Sequence, residues 1–235
     1  MAKTKNLNRV PLSRLPRKDI LLKDMDATEV EAFKTIRTSI FFSLVQVEGC
    51  KKLLFTSSVS KEGKSTVVVN LAITVSMTNA KVLLIDCDLR KPRIHRFFKD
   101  KNIPGLSNYL LGENDLDGII KETEFPNLNV IYAGSIPPNP VELLDSKGFQ
   151  ELVDTLSQRY DYIFIDCPPL LEVTDALVVS KLCSGTVLVA RQRYTTHRFI
   201  HQALKKLEFV NAKVLGFVLN DVPKKKNRYY YRYIT

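Results

Sequence analysis

The feature that most constrains this chain is a loop of small residues placed between two apolar runs. The loop lies between Phe55 and Thr66, follows the apolar run at 52–55 and precedes the apolar stretch at 67–75. A strand, such a loop and then a helix is the arrangement in which backbone N–H groups and a helix N-terminus bind phosphate groups. We therefore predict a nucleotide-phosphate loop. Its binding residues are Lys61, Glu62, Gly63, Lys64, Ser65 and Thr66.

The residue types of this loop suit phosphate binding. Gly63 lets the backbone approach phosphate oxygens, Lys64 supplies a positive charge, and the Ser65 hydroxyl is a hard ligand for Mg²⁺. Ser58 stands where the usual pattern G-x-x-x-x-G-K-[ST] has its first glycine, so the loop follows a relaxed form of the pattern. A Ser/Gly-rich turn before an ordinary helix is the alternative, and the flanking strand and helix disfavour it.

Short apolar runs alternate with helical patterns along the rest of the chain. Strands are predicted at 52–55, 81–86, 128–132, 162–166, 186–190 and 214–219, and longer helices at 28–48, 67–75, 146–159, 174–181 and 196–210. The first helix is expected to begin with the capping box Thr28-x-x-Glu31. Short helical pieces are expected around Phe97, Tyr109 and Ile119, and a rigid loop at 136–140. This alternation predicts an α/β fold like that of P-loop NTPases, a mostly parallel sheet with helices on both faces, in one domain.

Charge and composition divide the chain into a body and two tails. The 235 residues are 45% hydrophobic and carry a net charge of +10. Residues 1–23 hold seven Lys/Arg and one Asp, and residues 224–235 hold five Lys/Arg and no acid, so the body is left near −1. We expect a basic arm at 1–25, a domain at 26–222 and a disordered tail at 223–235. Because the basic residues lie in the tails, the charge argues against a nucleic-acid groove on the body. It favours tails that bind an acidic partner, anionic lipid or the active site of another copy.

Three acids follow predicted strands, and the carboxyl ends of parallel strands share one edge of a sheet. Asp86, Asp88 and Asp166 can therefore converge with Lys64 and Ser65 on one Mg²⁺-nucleotide. Asn220 ends the last predicted strand, where its amide is a candidate adenine reader or a turn-forming residue. Four cysteines lie far apart without C-x-x-C spacing, so neither a zinc site nor a disulfide framework is indicated.

These motifs resemble those of the bacterial tyrosine kinases (BY-kinases), from about residue 26 onward. The loop, the run ending in Asp86-x-Asp88-x-Arg90 and the run ending in Asp166 are similar to the Walker A, A′ and B motifs of that family. The resemblance implies that Lys64 binds phosphates, that Ser65, Asp88 and Asp166 hold Mg²⁺, and that Asp86 accepts the proton of a tyrosine hydroxyl. Arg90 would stabilise the transferred charge or form a structural salt bridge.

Two further features support the resemblance. Glu31-x-x-Lys34-x-x-Arg37 is similar to the subunit-contact motif E-x-x-R-x-x-R, with Lys34 replacing an arginine and losing its bidentate fork. A cluster of tyrosines near the C-terminus would be phosphorylated between subunits. Its members are Tyr229, Tyr230, Tyr231 and Tyr233.

The sequence thus predicts an ATP- and Mg²⁺-dependent protein-tyrosine kinase that phosphorylates itself and regulates capsule or exopolysaccharide synthesis. By resemblance it forms a ring-like homo-oligomer, phosphorylates protein tyrosines and is activated by an adaptor with two transmembrane helices. We expect it in the cytoplasm, recruited to the membrane by that adaptor, with possible anionic lipid contact through its tails and no nucleic-acid partner. The alternative is a partition-type (Min/Par-like) ATPase switch without kinase activity. Those ATPases carry a lysine where this chain has Val59, which favours the kinase.

Overall fold

A computed structural model describes residues 21–223 and shows a mostly parallel sheet with helices on both faces. Within these residues the seven strands are β1 Lys51–Ser57, β2 Val82–Asp86, β3 Ile120–Glu122, β4 Leu128–Ile131, β5 Tyr162–Asp166, β6 Gly185–Arg191 and β7 Val214–Asn220. Their order in the sheet is β3-β4-β2-β5-β1-β6-β7, and all pairs are parallel except β3 with β4. The predicted fold class is confirmed.

The helices follow the strands in chain order. The described ones are α1 Ala27–Ser43, α2 Lys64–Ser76, α3 Ile94–Phe97, α4 Leu106–Leu110, α5 Leu116–Ile119, α6 Pro140–Leu144, α7 Lys147–Ser157, α8 Asp175–Ser180 and α9 His197–Phe209, with a short 3-10 helix at Leu22–Asp24. Among residues 21–223, none of these helices is long and apolar enough to span a bilayer.

Two hydrophobic clusters lie on opposite faces of the sheet. One packs α1, α2 and α3 against the sheet, and the other packs α4 to α9. Strands β1, β2 and β5 are almost wholly buried because both faces of the sheet are covered. The side chains of Leu21 and Leu22 are buried in the first cluster, so the last residues of the predicted basic arm pack against the body.

Several predicted boundaries differ from the structure. Helix α1 is capped by Asp26, whose side chain accepts from the Glu29 N–H in a capping box, because Thr28 already lies inside the helix. It ends at Ser43 rather than near Gly49. The short edge strand β3 follows α5 directly, and α6 occupies part of the predicted rigid loop, with Pro140 as its first residue. None of these differences moves the residues that form the predicted site.

Candidate functional site

The phosphate loop joins β1 to α2 at the carboxyl edge of the sheet. Gly63 is the N-cap of α2 with a φ of +86°, a left-handed conformation that glycine adopts without strain. A Cβ at this position would lie 2.0 Å from Asn220 Nδ2, which donates a hydrogen bond to the Glu62 carbonyl over 3.1 Å. Glycine is required here by both its backbone angle and its close neighbour.

Three predicted site residues meet at the start of α2 and the end of β5. The Lys64 ammonium forms a buried ion pair with Asp166, and the Ser65 hydroxyl donates to the other carboxylate oxygen of Asp166 over 2.6 Å. Burial disfavours the charge on Lys64, but the pKa of Lys64 is raised because Asp166 and Asp88 outweigh that effect. We conclude that the lysine stays protonated while it faces Asp166.

Asp86 lies directly beside this group, opposite Asp166 in the register of β2 and β5. Its side chain is fully buried and accepts N–H groups from Asp88 over 3.1 Å, from Arg93 over 3.2 Å and from Ile94 over 3.1 Å. Burial, together with the nearby charges of Asp166 and Asp88, raises the pKa of Asp86 to about 8. The carboxylate therefore anchors the backbone that follows β2.

Asp88 and Arg90 continue the same turn. The half-buried Asp88 accepts the Lys91 N–H over 3.0 Å. The Arg90 Nε donates to both oxygens of the fully buried Asp175, at 3.1 and 3.3 Å. Arg90 therefore forms the structural salt bridge. Its two terminal guanidinium nitrogens have no hydrogen-bond or ion-pair partner among the described residues. Asp175 was not found from the sequence, because 85 residues separate it from Arg90.

The donor set fits a magnesium ion. One hydroxyl and the carboxylates around it are hard oxygen ligands of the kind that Mg²⁺ takes, and Mg²⁺ usually keeps several waters and phosphate oxygens in its shell. No group of three or more His, Cys, Asp or Glu side chains between residues 21 and 223 could hold a metal ion by itself. Ser65, Asp88 and Asp166 would hold the ion only together with such additional ligands.

The loop is braced by residues far away in the chain. The Glu62 side chain is buried and accepts from the Val59 N–H over 3.0 Å and from the Thr195 hydroxyl, so its carboxylate is occupied within the protein. Glu172 accepts the Ser60 N–H over 2.7 Å, and Arg191 donates to the Lys61 carbonyl over 3.4 Å. The sequence held no signal for these three partners, since 112 to 133 residues separate them from the loop.

The remaining predicted residues lie away from this edge or outside the described chain. Glu31 and Lys34 form an exposed ion pair of 2.6 Å on α1, while Arg37 donates to the Thr74 carbonyl of α2 over 3.0 Å. Thr66 is half-buried in the first turn of α2, and its carbonyl accepts from the Asn70 side chain. The four predicted acceptor tyrosines lie beyond residue 223. Two surface cavities of about 420 Å³ lie at the opposite edge of the sheet, away from the loop.

The body carries a local basic stretch although its net charge is near neutral. Residues 90–101 contain six Lys/Arg and one Asp, and five of these basic residues are exposed in the structure. Averaging the charge over the whole body concealed them, because acids elsewhere cancel them. A count in a window of twelve residues would have found them.

The chain is similar to a known protein family and to named relatives over most of its length. A family described as AAA domain matches residues 61–215. The tyrosine-protein kinase CapB of Staphylococcus aureus is 41% identical to this chain over 88% of the chain and 90% of CapB. The tyrosine-protein kinase Wzc of Salmonella typhi is 38% identical over 87% of this chain, which spans 29% of the length of Wzc.

Solved structures show the same likeness. The kinase domain of the Escherichia coli tyrosine kinase ETK matches with a TM-score of 0.83 at 33% identity, over 91% of this chain and 85% of that domain. The septum site-determining protein MinD from Pyrococcus horikoshii, in complex with Mg-ADP, matches with a TM-score of 0.64 over 75% of this chain and 72% of MinD. At 24% identity the likeness to MinD shows the fold alone.

Proposed function

Because the chain belongs to the bacterial tyrosine kinase family, we propose that it transfers the γ-phosphoryl group of ATP to tyrosine hydroxyls. The observation that carries this proposal is the meeting of Lys64, Ser65 and Asp166 beside Asp86 at one edge of the sheet. Phosphoryl transfer depends mainly on positioning and on neutralising charge, which a lysine and a braced loop at a helix N-terminus supply.

In the proposed reaction the phenol oxygen bonds to the γ-phosphorus while the bond from that phosphorus to the ADP oxygen breaks. Lys64 would move from Asp166 to the phosphates, and Ser65 and Asp166, with Asp88, would hold Mg²⁺. The bound Mg²⁺ supplies charge neutralisation for the phosphates. The loop at 58–63 keeps its shape because side chains of Glu62 and Glu172 hold its N–H groups.

Asp86 is the proposed acceptor of the phenol proton, and its burial sets a condition. Asp86 is fully buried, with the Arg93 and Ile94 N–H groups on one oxygen and the Asp88 N–H on the other, so a phenol can reach this carboxylate only when the residues that cover it move. A general base typically contributes about 10²- to 10⁴-fold to a rate. Asp86→Asn should therefore slow single-turnover transfer by about a hundredfold or more, and a smaller loss would remove Asp86 from the role of base.

The test of the activity is incubation of the purified protein with Mg-ATP, followed by an anti-phosphotyrosine blot and peptide mapping. We expect phosphotyrosine that Lys64→Met abolishes and that the exposed control Lys205→Met leaves intact. ATP hydrolysis without phosphotyrosine would instead support a partition-type ATPase switch. If neither phosphotyrosine nor ATP hydrolysis is detected, the isolated chain has neither function.

We propose the tyrosines at 229–233 of a second copy as first acceptors, with residues 26–222 as the kinase domain, 1–25 as a basic arm and 223–235 as the acceptor tail. Each phosphotyrosine adds about −1.5 to −2 charges, so four would add roughly −6 to −8. This reverses the +5 of residues 224–235. Phosphorylation should then dissociate a ring-like oligomer into smaller species. The same sedimentation coefficient before and after phosphatase treatment would refute this regulation.

The contact between subunits is proposed to involve Glu31, Lys34 and Arg37, the last of which lies in the middle of α1 on the side that faces α2. Arg37 already bonds α2 within one copy, so its substitution would mix packing with assembly. Glu31→Ala with Lys34→Ala is the cleaner test, and an exposed pair of this kind contributes only a few tenths of a kcal/mol to folding. Unchanged oligomer size in sedimentation would exclude this interface.

By membership of the family, we further propose that the chain serves capsule or exopolysaccharide synthesis and is activated by an adaptor with two transmembrane helices. Recruitment by that adaptor would place it at the inner face of the membrane, with anionic lipid as a secondary contact of the basic tails. Asn220 is proposed to contact adenine through its amide oxygen, which accepts no hydrogen bond from residues 21–223, because its amide nitrogen already bonds the loop. Co-expression with the adaptor should raise phosphotyrosine in the wild type and not in Lys64→Met.

A further inference from the structure

The two edge strands of the sheet are built differently. Strand β3, at one edge, has three residues, of which Lys121 and Glu122 are charged. A short, charged edge strand resists pairing with another strand. Strand β7, at the other edge, has seven residues and no charged one. A long, uncharged edge of this kind is a ready site for the addition of a further strand.

The outer side of β7 offers backbone groups and an apolar face together. The Asn220 carbonyl accepts the N–H of Gln192, just after β6, over 2.9 Å. Because peptide groups alternate in direction along a strand, those of Phe217 and Leu219 point to the other side, where no strand lies among residues 21–223. The side chains of Phe217 and Leu219 are 49% and 54% exposed. A partner strand could therefore bond the backbone and cover both side chains.

The spacing of the exposed side chains specifies what a partner needs. Val218 is buried in the cluster that contains α2, so Phe217 and Leu219 on either side of it both face the opposite side of the sheet. A strand that covers them carries large side chains at alternate positions. The tail at 224–235 has tyrosines at 229, 231 and 233, and tyrosine favours strands and pairs well with aromatic and aliphatic neighbours across a sheet.

The length and attachment of the tail favour it over other occupants. Twelve residues follow Pro223, which lies three residues after the end of β7. Twelve extended residues reach about 40 Å, whereas a strand of seven residues is about 23 Å long. The tail can therefore reverse direction and still run along most of β7. Because it is linked to that edge, its effective concentration there is far above that of a second copy in dilute solution.

We propose that the tail folds back on β7 of its own copy as an antiparallel strand, with Tyr229 beside Leu219 and Tyr231 beside Phe217. A docked tail cannot extend to the site of a second copy, so docking stores the acceptor tyrosines and the fraction of free tails limits transfer. This role of the docked tail rests on the proposed function. The docking itself rests only on the edge of β7 and the composition of the tail.

The docking test measures hydrogen exchange of the amides at 214–220 in phosphatase-treated, full-length protein without ATP. If about nine tails in ten are docked, the outward amides should exchange about tenfold more slowly than in an undocked protein. Tyr231→Pro should remove this protection, because proline has no N–H to donate to β7. The matched control is Asn227→Pro, which falls in the segment that reverses direction and should keep the protection.

Variants of the edge itself make the test specific. Phe217→Ser with Leu219→Ser removes the apolar face, and in this background Tyr231→Pro should have no further effect on exchange. The matched background is Leu111→Ser with Ile136→Ser, which removes two side chains 53% and 67% exposed toward the other end of the sheet. There Tyr231→Pro should keep its full effect. Comparing each background with and without the tail variant separates docking from any direct change in β7.

The kinetic test uses Lys64→Met protein as the acceptor and the wild type as the kinase. Adding Phe217→Ser and Leu219→Ser to the acceptor should raise the initial rate of tail phosphorylation about tenfold at low acceptor concentration, because all tails become free. The acceptor KM should fall and kcat should stay similar. Adding Leu111→Ser and Ile136→Ser instead should leave the rate unchanged.

Three results would overturn the proposal. They are exchange that Tyr231→Pro does not change, an equal loss of protection with Asn227→Pro, and protection that rises with protein concentration as dimers form in sedimentation, which would assign the edge of β7 to a second copy. The exchange experiment needs no catalysis. Phosphotyrosine formation without protection of β7 removes this inference alone, and protection without phosphotyrosine formation removes the kinase activity alone.

Discussion

The two flanks of the site are stabilised in different ways. The loop flank, residues 58–66, is held by side chains that come from β6, β7 and the segments after β5 and β6, including Glu172, Thr195 and Asn220. The acid flank, residues 86–101, is held by its own backbone N–H groups around Asp86. The first flank depends on distant parts of the chain, and the second depends mainly on local contacts, with the ion pair between Arg90 and Asp175 as its long-range tie.

This difference separates two tasks. The loop flank keeps its N–H groups and carbonyls engaged, so that its shape is set before a phosphate arrives. The acid flank has a buried carboxylate with a raised pKa, and its five exposed cations form no ion pair with residues in the described part of the chain. We infer that the loop flank is built for a fixed geometry, whereas the acid flank is built to respond to charge.

The largest effect is expected where the two flanks meet, at the buried pair of Lys64 and Asp166. Lys64→Met leaves the carboxylate without its cation, and removing one partner of a buried pair typically costs about 3–5 kcal/mol. Lys64→Met with Asp166→Asn should be less destabilised than Lys64→Met alone. Urea unfolding with EDTA and without nucleotide measures these variants and Asp166→Asn alone, and a double-variant loss equal to the sum of the two single losses would show that the pair is not coupled.

The next effect is a pH dependence that belongs to the acid flank. The folded-state pKa of Asp86 is about 8, above its ordinary value, so the folded chain binds a proton that the unfolded chain has lost. The contribution of Asp86 to stability is therefore fully present below about pH 4 and declines as the pH rises toward 8, by at most about 1.4 kcal/mol per pH unit for one proton. Urea midpoints at about pH 5.5 and about pH 8, with EDTA, measure the slope.

Asp86→Asn is the control for that slope. It removes the titrating group and should flatten the decline, whatever its effect on stability at a single pH. Lys64→Met leaves Asp86 in place and should keep a decline. A slope that is the same with and without the Asp86 carboxylate would assign the pH dependence to other groups.

A third effect tests the loop flank at Gly63. Gly63→Ala places a Cβ 2.0 Å from Asn220 Nδ2 at a φ of +86°, and a residue forced into the left-handed region costs about 1–3 kcal/mol. We expect lower stability and a loss of nucleotide affinity, measured with a fluorescent ATP analogue. Adding Asn220→Ala should recover part of the loss if the contact matters, and no recovery would leave backbone strain as the whole cause.

The smallest effect is expected at the outer edge of the loop flank. Arg191 and Asp221 form a 2.8 Å ion pair with side chains 31% and 58% exposed, and such pairs contribute about 0–1 kcal/mol. Asp221→Asn should lower the urea midpoint slightly at low salt and leave it unchanged at high salt. A loss above that range would show that this pair braces the loop more strongly than its exposure suggests.

The pattern of the sequence predicted the class of fold because its signals are local. Apolar runs such as 162–166 showed buried strands by themselves, and Thr196 marked the start of α9. Strand β3 was missed because three residues at the edge of a sheet carry no pattern of their own. Thr28 was taken as the first cap because it satisfies the same spacing rule as Asp26 two residues earlier.

The sequence alone determined the α/β class, the phosphate loop with Lys64 and Ser65, the acids at strand ends and the resemblance to the bacterial tyrosine kinases. Each is encoded in a few neighbouring residues. Only the tertiary structure decided that Asp86 is buried under its own backbone contacts, that Arg90 is tied to Asp175, and that Glu62 turns its carboxylate toward Thr195. It also showed that the five exposed cations between Lys91 and Lys101 form no ion pair with residues 21–223. The physical reason is that burial and pairing depend on which distant segments the sheet brings together, and the spacing of residues along a chain does not contain that information.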